Sequence, residues 1–344
     1  MVPVSQKSGK YKEPAPEGLA ARLLTASPDT DDAAEPLIDS ESAVDTRTAV
    51  VTAVQHGQRL DKTLVDLAPE FSRSHLQQLI DKGHVRLDGA VATTASRRLR
   101  IGQGLQLELV PTEESQAFRP QAMLLALLHE DEHLIVLNKP AGLVVHPAPG
   151  NWSGTLLNGL LAHHALAATL PRAGIVHRLD KDTSGVMMVG KSLPAVTALV
   201  RAMAARQVHR RYLAISHGAA TEAEFSIDAP IGRDPVVRVR MAVVPGGRAS
   251  RTDVQRVAVN LGCSAFSCTL HTGRTHQIRV HLSSRGLPLV ADTLYGGKPA
   301  LGLQRQALHA TELRLAHPIT GMPLSFDCPP PADFAAAWAQ VMGG

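Results

Sequence analysis

The sequence predicts an α+β protein, in which a small unit of two helices and a hairpin precedes a larger domain built around a mixed sheet. Leu60, Leu64 and Leu67 recur at the spacing of one helical face. The pair Asp88-Gly89 lies between alternating apolar residues, which is typical of a tight hairpin turn. Further along the chain, short apolar runs bounded by turn residues outnumber helical patterns, which indicates buried strands.

Four segments are expected along the 344 residues. Residues 1–48 are rich in Ala, Pro, Ser and acids and lack periodicity, so we expect a disordered acidic tail. Residues 49–110 form the small unit, residues 111–125 form a polar linker with two prolines, and residues 126–344 form the larger domain.

The small unit contains signals for where its elements begin and end. Its first helix carries the leucines named above, and Ser74 with Gln77 makes a capping box for the second helix. Gly83 supplies the stop of that helix. The hairpin then spans residues 85–91.

Five segments of the larger domain are predicted to be strands. Four are short apolar runs between turn residues, and in the fifth apolar residues alternate with smaller or polar ones. They are residues 134–137, 173–176, 186–189, 212–215 and 265–270.

The charge distribution favours a polyanionic partner such as RNA. The formal net charge is +4, but residues 27–45 contain seven acids and no Lys or Arg, and without those acids the rest carries +11. A basic surface of this kind attracts nucleic acid. A generally basic surface that serves solubility is the alternative.

The cysteines and the apolar runs indicate the compartment. Cys263, Cys268 and Cys328 are too few for a disulfide framework and lack the paired spacing of a structural zinc site. No apolar run is long enough for a membrane span, and the N-terminus lacks the layout of a signal peptide. We therefore expect a cytoplasmic protein with no membrane partner.

Two short motifs point to chemistry that their context does not support. Residues 129–133 match the H-E-x-x-H pattern of zinc proteases, but a strand-like run begins at Leu134, so an acidic turn is expected instead of a helix. Residues 177–180 resemble a kinase catalytic loop, but the aspartate is displaced by one and no glycine-rich nucleotide loop accompanies it. We expect no metal site and no kinase.

The connection between the predicted strands 173–176 and 186–189 is the candidate catalytic segment, because such connections present functional groups at a sheet edge. In it, Asp180 lies near Arg178 and Lys181, and nearby cations favour an ionised carboxylate. An ionised carboxylate acts as a nucleophile or a base. A turn in which Asp180 or Asp182 caps backbone groups is the alternative.

In the small unit, residues 59–61, 72–74, 79–83 and 85–89 follow one another in a pattern that resembles the S4 RNA-binding module. The resemblance implies phosphate contacts, which hold RNA without reading its sequence. The residues concerned are Arg59, Ser72, Arg73, Lys82, Arg97 and Arg98. For each of them an ordinary solvated surface position is the alternative.

Five segments of the larger domain resemble, in order, the motifs of the pseudouridine synthases that modify large-subunit ribosomal and transfer RNA. They are residues 131–142, 177–185, 211–218, 247–252 and 272–281. The resemblance implies a pseudouridine synthase fold, with a mixed, largely antiparallel sheet and flanking helices behind the S4 module. It also implies isomerisation of uridine in RNA, a rearrangement that requires no cofactor.

Carried over by position, the resemblance makes Asp180 the catalytic carboxylate, Tyr212 the ring beside the target base, and Arg279 the cation paired with Asp180. Thr275 is expected to cap the helix that carries Arg279 and ends at Gly286. The target uridine must be flipped out of its stack, and Arg178 would fill the vacated space. The remaining substrate-binding residues are His177, Thr183, Arg274 and Ile278.

Within the family, residues 144–151, 172–176 and 305–310 most resemble the members that modify the loop of helix 69 in 23S rRNA. The expected partner is therefore 23S rRNA or the large ribosomal subunit, bound by a monomer. Activity on other 23S rRNA sites or tRNA, or a non-catalytic S4-type assembly factor, are alternatives. Ala291-Asp292 departs from the usual Gly-Asp of the family, which puts the local turn in doubt.

Overall fold

The computed structural model describes residues 45–110 and 117–343. The chain divides into two compact units, Met1–Val110 and Pro111–Gly344. Residues 1–44 of the predicted tail and residues 111–116 of the predicted linker lie outside the described residues. The first described residues, Asp45–Val50, form a strand, so the last four residues of the predicted tail, 45–48, belong to regular structure.

The first unit combines two helices with a four-stranded sheet. Its elements are β1 (Asp45–Val50), α1 (Leu60–Leu67), α2 (Arg73–Asp81), β2 (Val85–Leu87), β3 (Ala90–Val91) and β4 (Gly104–Leu109). The strand order is β1-β4-β2-β3. Leu60 and Leu64 on α1 and Leu76 and Ile80 on α2 are fully buried against the sheet core, as the helical spacing predicts.

The turn chemistry of the first unit is confirmed at the hairpin and wrong at the cap of α2. Asp88 and Gly89 both have positive φ, at 51° and 80°, as a two-residue hairpin turn requires. The cap of α2 is Ser72, whose hydroxyl accepts from the His75 backbone N–H at 3.3 Å. Gln77, assigned to a capping box, instead donates to the buried Asp61 carboxylate of α1. With Ser72 as its cap, α2 begins at Arg73, two residues earlier than a cap at Ser74 predicts.

The second unit alternates strands with a few helices. Its elements are β5 (Ala126–Glu130), β6 (Leu134–Lys139), α3 (Leu156–His163), β7 (Ser184–Gly190), α4 (Leu193–Ala204), β8 (His209–His217), β9 (Glu224–Asp228), β10 (Ile231–Arg233), β11 (Met241–Val243), β12 (Arg251–Asn260), β13 (Cys263–Leu270), α5 (Gln277–Ser284), β14 (Leu308–Ala316), β15 (Pro323–Asp327) and α6 (Ala332–Met342).

One large sheet organises this unit, with the strand order β5-β6-β7-β14-β8-β13-β12-β9 and β15 paired to β14. Of the strand pairs in the described part of this sheet, only β7 with β14 is parallel. The sheet is therefore mixed and largely antiparallel, as predicted. Every residue of β7 is buried, which explains why that strand is apolar without alternation. Strands β10 and β11 form a separate hairpin.

Four of the five predicted strands of the larger domain are confirmed, and the prediction for residues 173–176 is wrong. Residues Pro171–Gly174 form a short 3-10 turn, in which Arg172 and Ala173 both have a φ of 53°. Gly174, at a φ of 83°, lies so close to the Gly190 carbonyl oxygen that an added Cβ would be 1.9 Å from it. The apolar run therefore belongs to a buried turn that crosses the end of β7.

The acidic turn predicted at residues 129–133 is confirmed. Strand β5 ends at Glu130, and the Asp131 carboxylate accepts the backbone N–H groups of His133 and Leu134 at 2.7 and 2.8 Å. His129 also hydrogen-bonds to Asp131, at 2.8 Å. The two histidines of the motif therefore flank a turn. A zinc protease would need both of them on one face of a helix.

Candidate active site

A cleft of about 500 Å³ opens in the second unit beside the start of β7 and the middle of β8. It brings together the predicted catalytic and substrate-binding residues, which are distant in sequence. Those that line it are His177, Arg178, Asp180, Thr183, Tyr212, Arg274 and Ile278. The eighth, Arg279, lies behind Asp180 and contacts it directly.

A buried lysine, whose role was not predicted from the sequence, is hydrogen-bonded to the loop that carries Asp180. Lys139, at the end of β6, is fully buried and donates to the carbonyl oxygens of Pro140, Leu143 and Lys181 at 2.7 to 2.9 Å. Burial lowers the pKa of Lys139 to about 7, and the nearby carboxylates oppose that shift. A lysine inside an apolar strand was the signal that could have revealed this role.

Arg279 joins Asp180 to a second carboxylate. Its Nη1 donates to Asp180 at 3.0 Å, while its Nε and Nη2 donate to the two oxygens of Asp292 at 2.7 and 2.9 Å. The Asp292 side chain is 1% exposed, so a buried carboxylate holds the guanidinium of Arg279 in place. Burial opposes the Arg279 charge, but the two carboxylates outweigh it and raise the pKa of Arg279 above its usual range.

The turn that carries Asp292 forms despite the departure at Ala291. Ala291 adopts a φ of 59° and donates its N–H to the Lys298 carbonyl at 2.8 Å. The left-handed conformation explains why glycine suits this position, since a side chain there is strained. Asp292 nevertheless reaches Arg279, so the substitution leaves the ion-paired geometry in place.

Helix α5 positions Arg279, but its start differs from the prediction. It spans Gln277–Ser284, its N-cap is His276 in the left-handed region at φ 57°, and Thr275 provides no cap. Instead the Gln277 side chain accepts from the Arg274 backbone N–H at 3.0 Å and orders the entry to the helix. The sequence pattern predicted the helix correctly but its N-cap wrongly. An N-cap residue in the left-handed region, such as His276, is not recognisable by a hydroxyl side chain.

A histidine and a tyrosine support the other side of Asp180. The Tyr295 hydroxyl accepts from the Met241 backbone N–H at 2.9 Å and lies 2.8 Å from His276 Nδ1. The Nε2 of the same ring lies 3.9 Å from an Asp180 oxygen. Burial lowers the pKa of His276, so this ring is a neutral neighbour of the carboxylate.

Tyr212 and Arg210 project from the same face of β8, because they are two residues apart. Tyr212 is 5% exposed, and burial raises the pKa of its hydroxyl, which is therefore protonated at neutral pH. Arg210 is 7% exposed and lines the same cleft, although the sequence analysis did not identify it.

His177 is a neutral hydrogen-bond donor in the cleft. Its Nε2 accepts from the Met188 backbone N–H at 3.0 Å, which places the ring hydrogen on Nδ1. Burial lowers the pKa of His177 to about 3, with Arg210 contributing in the same direction. Nδ1 is buried and makes no hydrogen bond to any residue within 45–110 or 117–343.

The mouth of the cleft is basic. Three exposed arginines lie there, Arg172, Arg178 and Arg274. The half-buried His146 lies near two of them. Burial is the main cause that lowers the pKa of His146 to about 4, and the charges of Arg178 and Arg172 act in the same direction. Positive charge at an open mouth suits a phosphate backbone that passes across it.

The predicted RNA-binding residues of the first unit fall into two groups. Arg59 and Arg73 both donate to the fully buried Asp61, at 3.0 and 2.9 Å, and are therefore already ion-paired. The Arg59 hydrogen bond is the main cause that lowers the pKa of Asp61 below its usual range. Lys82, Arg97 and Arg98 are exposed, and Ser72 caps α2.

The described ranges contain neither a metal-ligating cluster nor a membrane-spanning helix. Between residues 45 and 343, apart from 111–116, no three His, Cys, Asp or Glu side chains are grouped so as to hold a metal ion. None of the helices in those ranges is long and apolar enough to cross a membrane.

Family models match both units. Residues 133–284, which include every cleft residue named above, match the RNA pseudouridylate synthase family. Residues 58–105 match the S4 domain. The second match covers both helices and strands β2 and β3 of the first unit, and it ends at the start of β4.

Curated relatives and a solved structure are similar over most of their length. The ribosomal large subunit pseudouridine synthase D of Nitrosomonas europaea is 46% identical over 288 residues, which cover 81% of this chain and 83% of the relative. The enzyme of the same name from Xanthomonas campestris is 44% identical over 317 residues, covering 88% and 93%. The human RNA pseudouridylate synthase domain containing 4 superposes with a TM-score of 0.50 at 25% identity, covering 63% of this chain and 93% of that one.

Proposed function

Because the chain belongs to the RNA pseudouridylate synthase family and is an RNA pseudouridine synthase, we propose that it converts uridines in helix 69 of 23S rRNA. The observation that carries the proposal is the likeness, across both units, to relatives that are named ribosomal large subunit pseudouridine synthase D. The enzyme would act as a monomer in the cytoplasm, on 23S rRNA or on the large ribosomal subunit.

Asp180 is the residue that acts on the ribose of the target uridine. Its carboxylate lines the cleft, is 14% exposed on its side chain, and is oriented by Arg279 at 3.0 Å. Arg279 balances the Asp180 charge, and Asp292 keeps the guanidinium fork in place. A carboxylate fixed in this way can attack the sugar or remove a sugar proton.

The other cleft residues bind the flipped nucleotide. Flipping costs about a few kcal/mol, which contacts inside the cleft must offset. Tyr212 offers its ring and a protonated hydroxyl beside the base, while Thr183 and Ile278 line the wall. Arg178, exposed at the mouth, would fill the space that the base leaves, and Arg274 would hold the backbone. The rearrangement has no redox change and transfers no group to a second molecule, so no cofactor takes part.

Mapping pseudouridine in rRNA and tRNA from cells with and without the gene tests the proposed target. We expect the helix 69 uridines to lose their modification in the deletion strain and to regain it when the gene is restored. Loss at other 23S rRNA positions or in tRNA, with helix 69 unchanged, would contradict the helix 69 assignment. No change at any position, with purified protein that also modifies none of these RNAs, would favour an assembly factor.

The first unit is proposed to hold the rRNA through Lys82, Arg97 and Arg98, which are exposed. Arg59 and Arg73 are less suitable for a test, because their replacement would also leave the buried Asp61 without its ion pairs. Replacing the three exposed cations with glutamine should weaken binding of a helix 69 RNA and lower the slope of log affinity against log salt by about 2.

The matched control replaces Lys62, Arg86 and Arg100 with glutamine, which changes the net charge of the same unit equally. Binding would be measured by fluorescence anisotropy at several salt concentrations. Equal weakening in both triple variants would show that net charge alone matters and would contradict the assignment to Lys82, Arg97 and Arg98.

A further inference from the structure

Arg210 is a buried cation for which residues 45–110 and 117–343 provide no hydrogen-bond or ion-pair partner. It is 7% exposed on strand β8, and its Nε is buried with no hydrogen bond to any described residue. Its neighbour Arg211, by contrast, forms an ion pair with Glu312, and Arg279 has two carboxylates. A buried, uncompensated charge destabilises a fold. A fold that retains a buried, uncompensated charge therefore indicates that a ligand pairs with it.

The position of Arg210 points to the base of the flipped nucleotide as that ligand. Arg210 lines the cleft together with Asp180 and Tyr212. Its Nη1 reaches Gly273, where an added Cβ would be only 2.8 Å away, so the glycine leaves room for the guanidinium. The exposed arginines lie at the mouth, where a phosphate backbone passes. A cation buried deeper meets the part of the substrate that enters, which is the uracil.

A second donor accompanies Arg210. His177 Nδ1 carries a hydrogen, is buried in the same cleft, and has no partner within the described ranges. The guanidinium and the imidazole N–H both donate. Uracil offers two carbonyl oxygens, O2 and O4, as acceptors, so the donors of the cleft and the acceptors of the base are complementary.

The chemistry makes such donors most valuable during the reaction itself. When the C1′–N1 bond of uridine breaks, its electron pair leaves with the base, and negative charge spreads over N1, O2 and O4. The base keeps this charge until C5 uses the electron pair to bond to C1′. C5 then loses its proton and N1 gains one, which gives the isomer with no net change of atoms. This holds whether Asp180 bonds to C1′ or removes a sugar proton. Donors placed where charge develops lower the barrier, because they bind the transition state more tightly than the substrate.

We propose that Arg210 is a catalytic residue whose guanidinium, assisted by His177 Nδ1–H, binds the uracil carbonyl oxygens and stabilises the base as it departs from C1′. The inference rests on the proposed function, since it assumes that a uridine enters this cleft. It assigns to Arg210 a role distinct from that of Arg279, which serves the carboxylate and not the base.

The test compares Arg210→Met with Arg211→Met, which removes a cation from the opposite face of the same strand. Single-turnover rates would be measured by digesting the RNA and quantifying nucleosides by mass spectrometry, on any RNA that the wild type converts. For Arg210→Met we expect a rate about 100-fold lower, with an RNA dissociation constant within about twofold of the wild type. Arg211→Met should keep the wild-type rate. Arg210→Lys, which keeps a cation, should recover part of the loss.

Two further measurements separate this role from others. With 5-fluorouridine at the target position, the departing base carries its charge more easily, so the Arg210→Met loss in the rate of nucleoside consumption should be smaller. Because the free protein has an unpaired buried charge at Arg210, the melting temperature of Arg210→Met should equal or exceed that of the wild type.

Three results would overturn the inference. Weaker binding at an unchanged rate would assign Arg210 to a phosphate. Equal losses of rate with uridine and 5-fluorouridine would show that Arg210 does not stabilise charge on the departing base. A lower melting temperature with a wild-type rate in the folded fraction would give it a structural role. A wild-type protein that leaves helix 69 unmodified yet converts another RNA would refute only the proposed target, since the Arg210 test uses whichever RNA is converted.

Discussion

Replacing Asp180 with asparagine is expected to lower the rate of pseudouridine formation by about four orders of magnitude. Asparagine keeps the shape of the side chain and its contact with Arg279, but it can neither attack the ribose nor accept its proton. The rate would be measured under single-turnover conditions with a helix 69 RNA. The same variant, as the sole copy in cells, should leave helix 69 unmodified.

Asp182→Asn is the matched control, because Asp182 lies in the same loop and its backbone carbonyl, not its carboxylate, accepts from Arg305. It should retain most of the wild-type rate. Both variants should bind RNA with wild-type affinity, since neither change removes a cation. Conversion by Asp180→Asn at even a tenth of the wild-type rate would show that another group performs the chemistry.

The sequence could predict the residues proposed to act on the substrate and the cation behind them, because motif order indicated Asp180, Tyr212 and Arg279 and the fold places them in or against one cleft. The residues that support them were harder to identify. Asp292 and Lys139 act through contacts with distant segments, and neither has a local pattern that names its partner. Such partners follow only from the way the strands and turns pack.

Local sequence patterns also fail where the same residues are compatible with two different backbone structures. The apolar run 173–176 reads equally well as a buried strand or a buried turn, and the close approach of Gly174 to the carbonyl of Gly190 decides for the turn. Arg210 shows a different limit. A basic residue in a strand is ordinarily exposed and solvated. The inference about Arg210 comes instead from its burial and from its Nε, which has no hydrogen bond to any described residue, and the sequence shows neither.

Asp292, which binds Arg279 behind Asp180, is predicted to matter for stability as much as for the conversion rate. Asp292→Asn removes the charge that holds two nitrogens of the Arg279 fork, at 2.7 and 2.9 Å. Because Arg279 is buried, it would be left with Asp180 as its one charged partner among the described residues. We expect the free energy of unfolding of the second unit to fall by about 3 kcal/mol. Chemical denaturation followed by circular dichroism would measure it.

A change confined to stability would make Asp292 a structural residue, so the rate must be measured as well. With Asp292 absent, the guanidinium is free to turn away from Asp180, and single-turnover conversion well below the melting temperature should fall while RNA affinity stays unchanged. Asp253→Asn, which alters a partly exposed carboxylate paired with Arg251, is the control and should cost at most about 1 kcal/mol.

The double variant Asp292→Asn with Arg279→Met separates the two effects of Asp292. If the instability comes from the uncompensated Arg279 charge, removing that charge should restore part of the lost free energy of unfolding, whereas the conversion rate should stay low because Asp180 has lost its cation. Strictly additive losses of stability would mean that Asp292 stabilises the fold through contacts other than Arg279. A recovered rate would mean that Asp180 does not depend on the guanidinium at all.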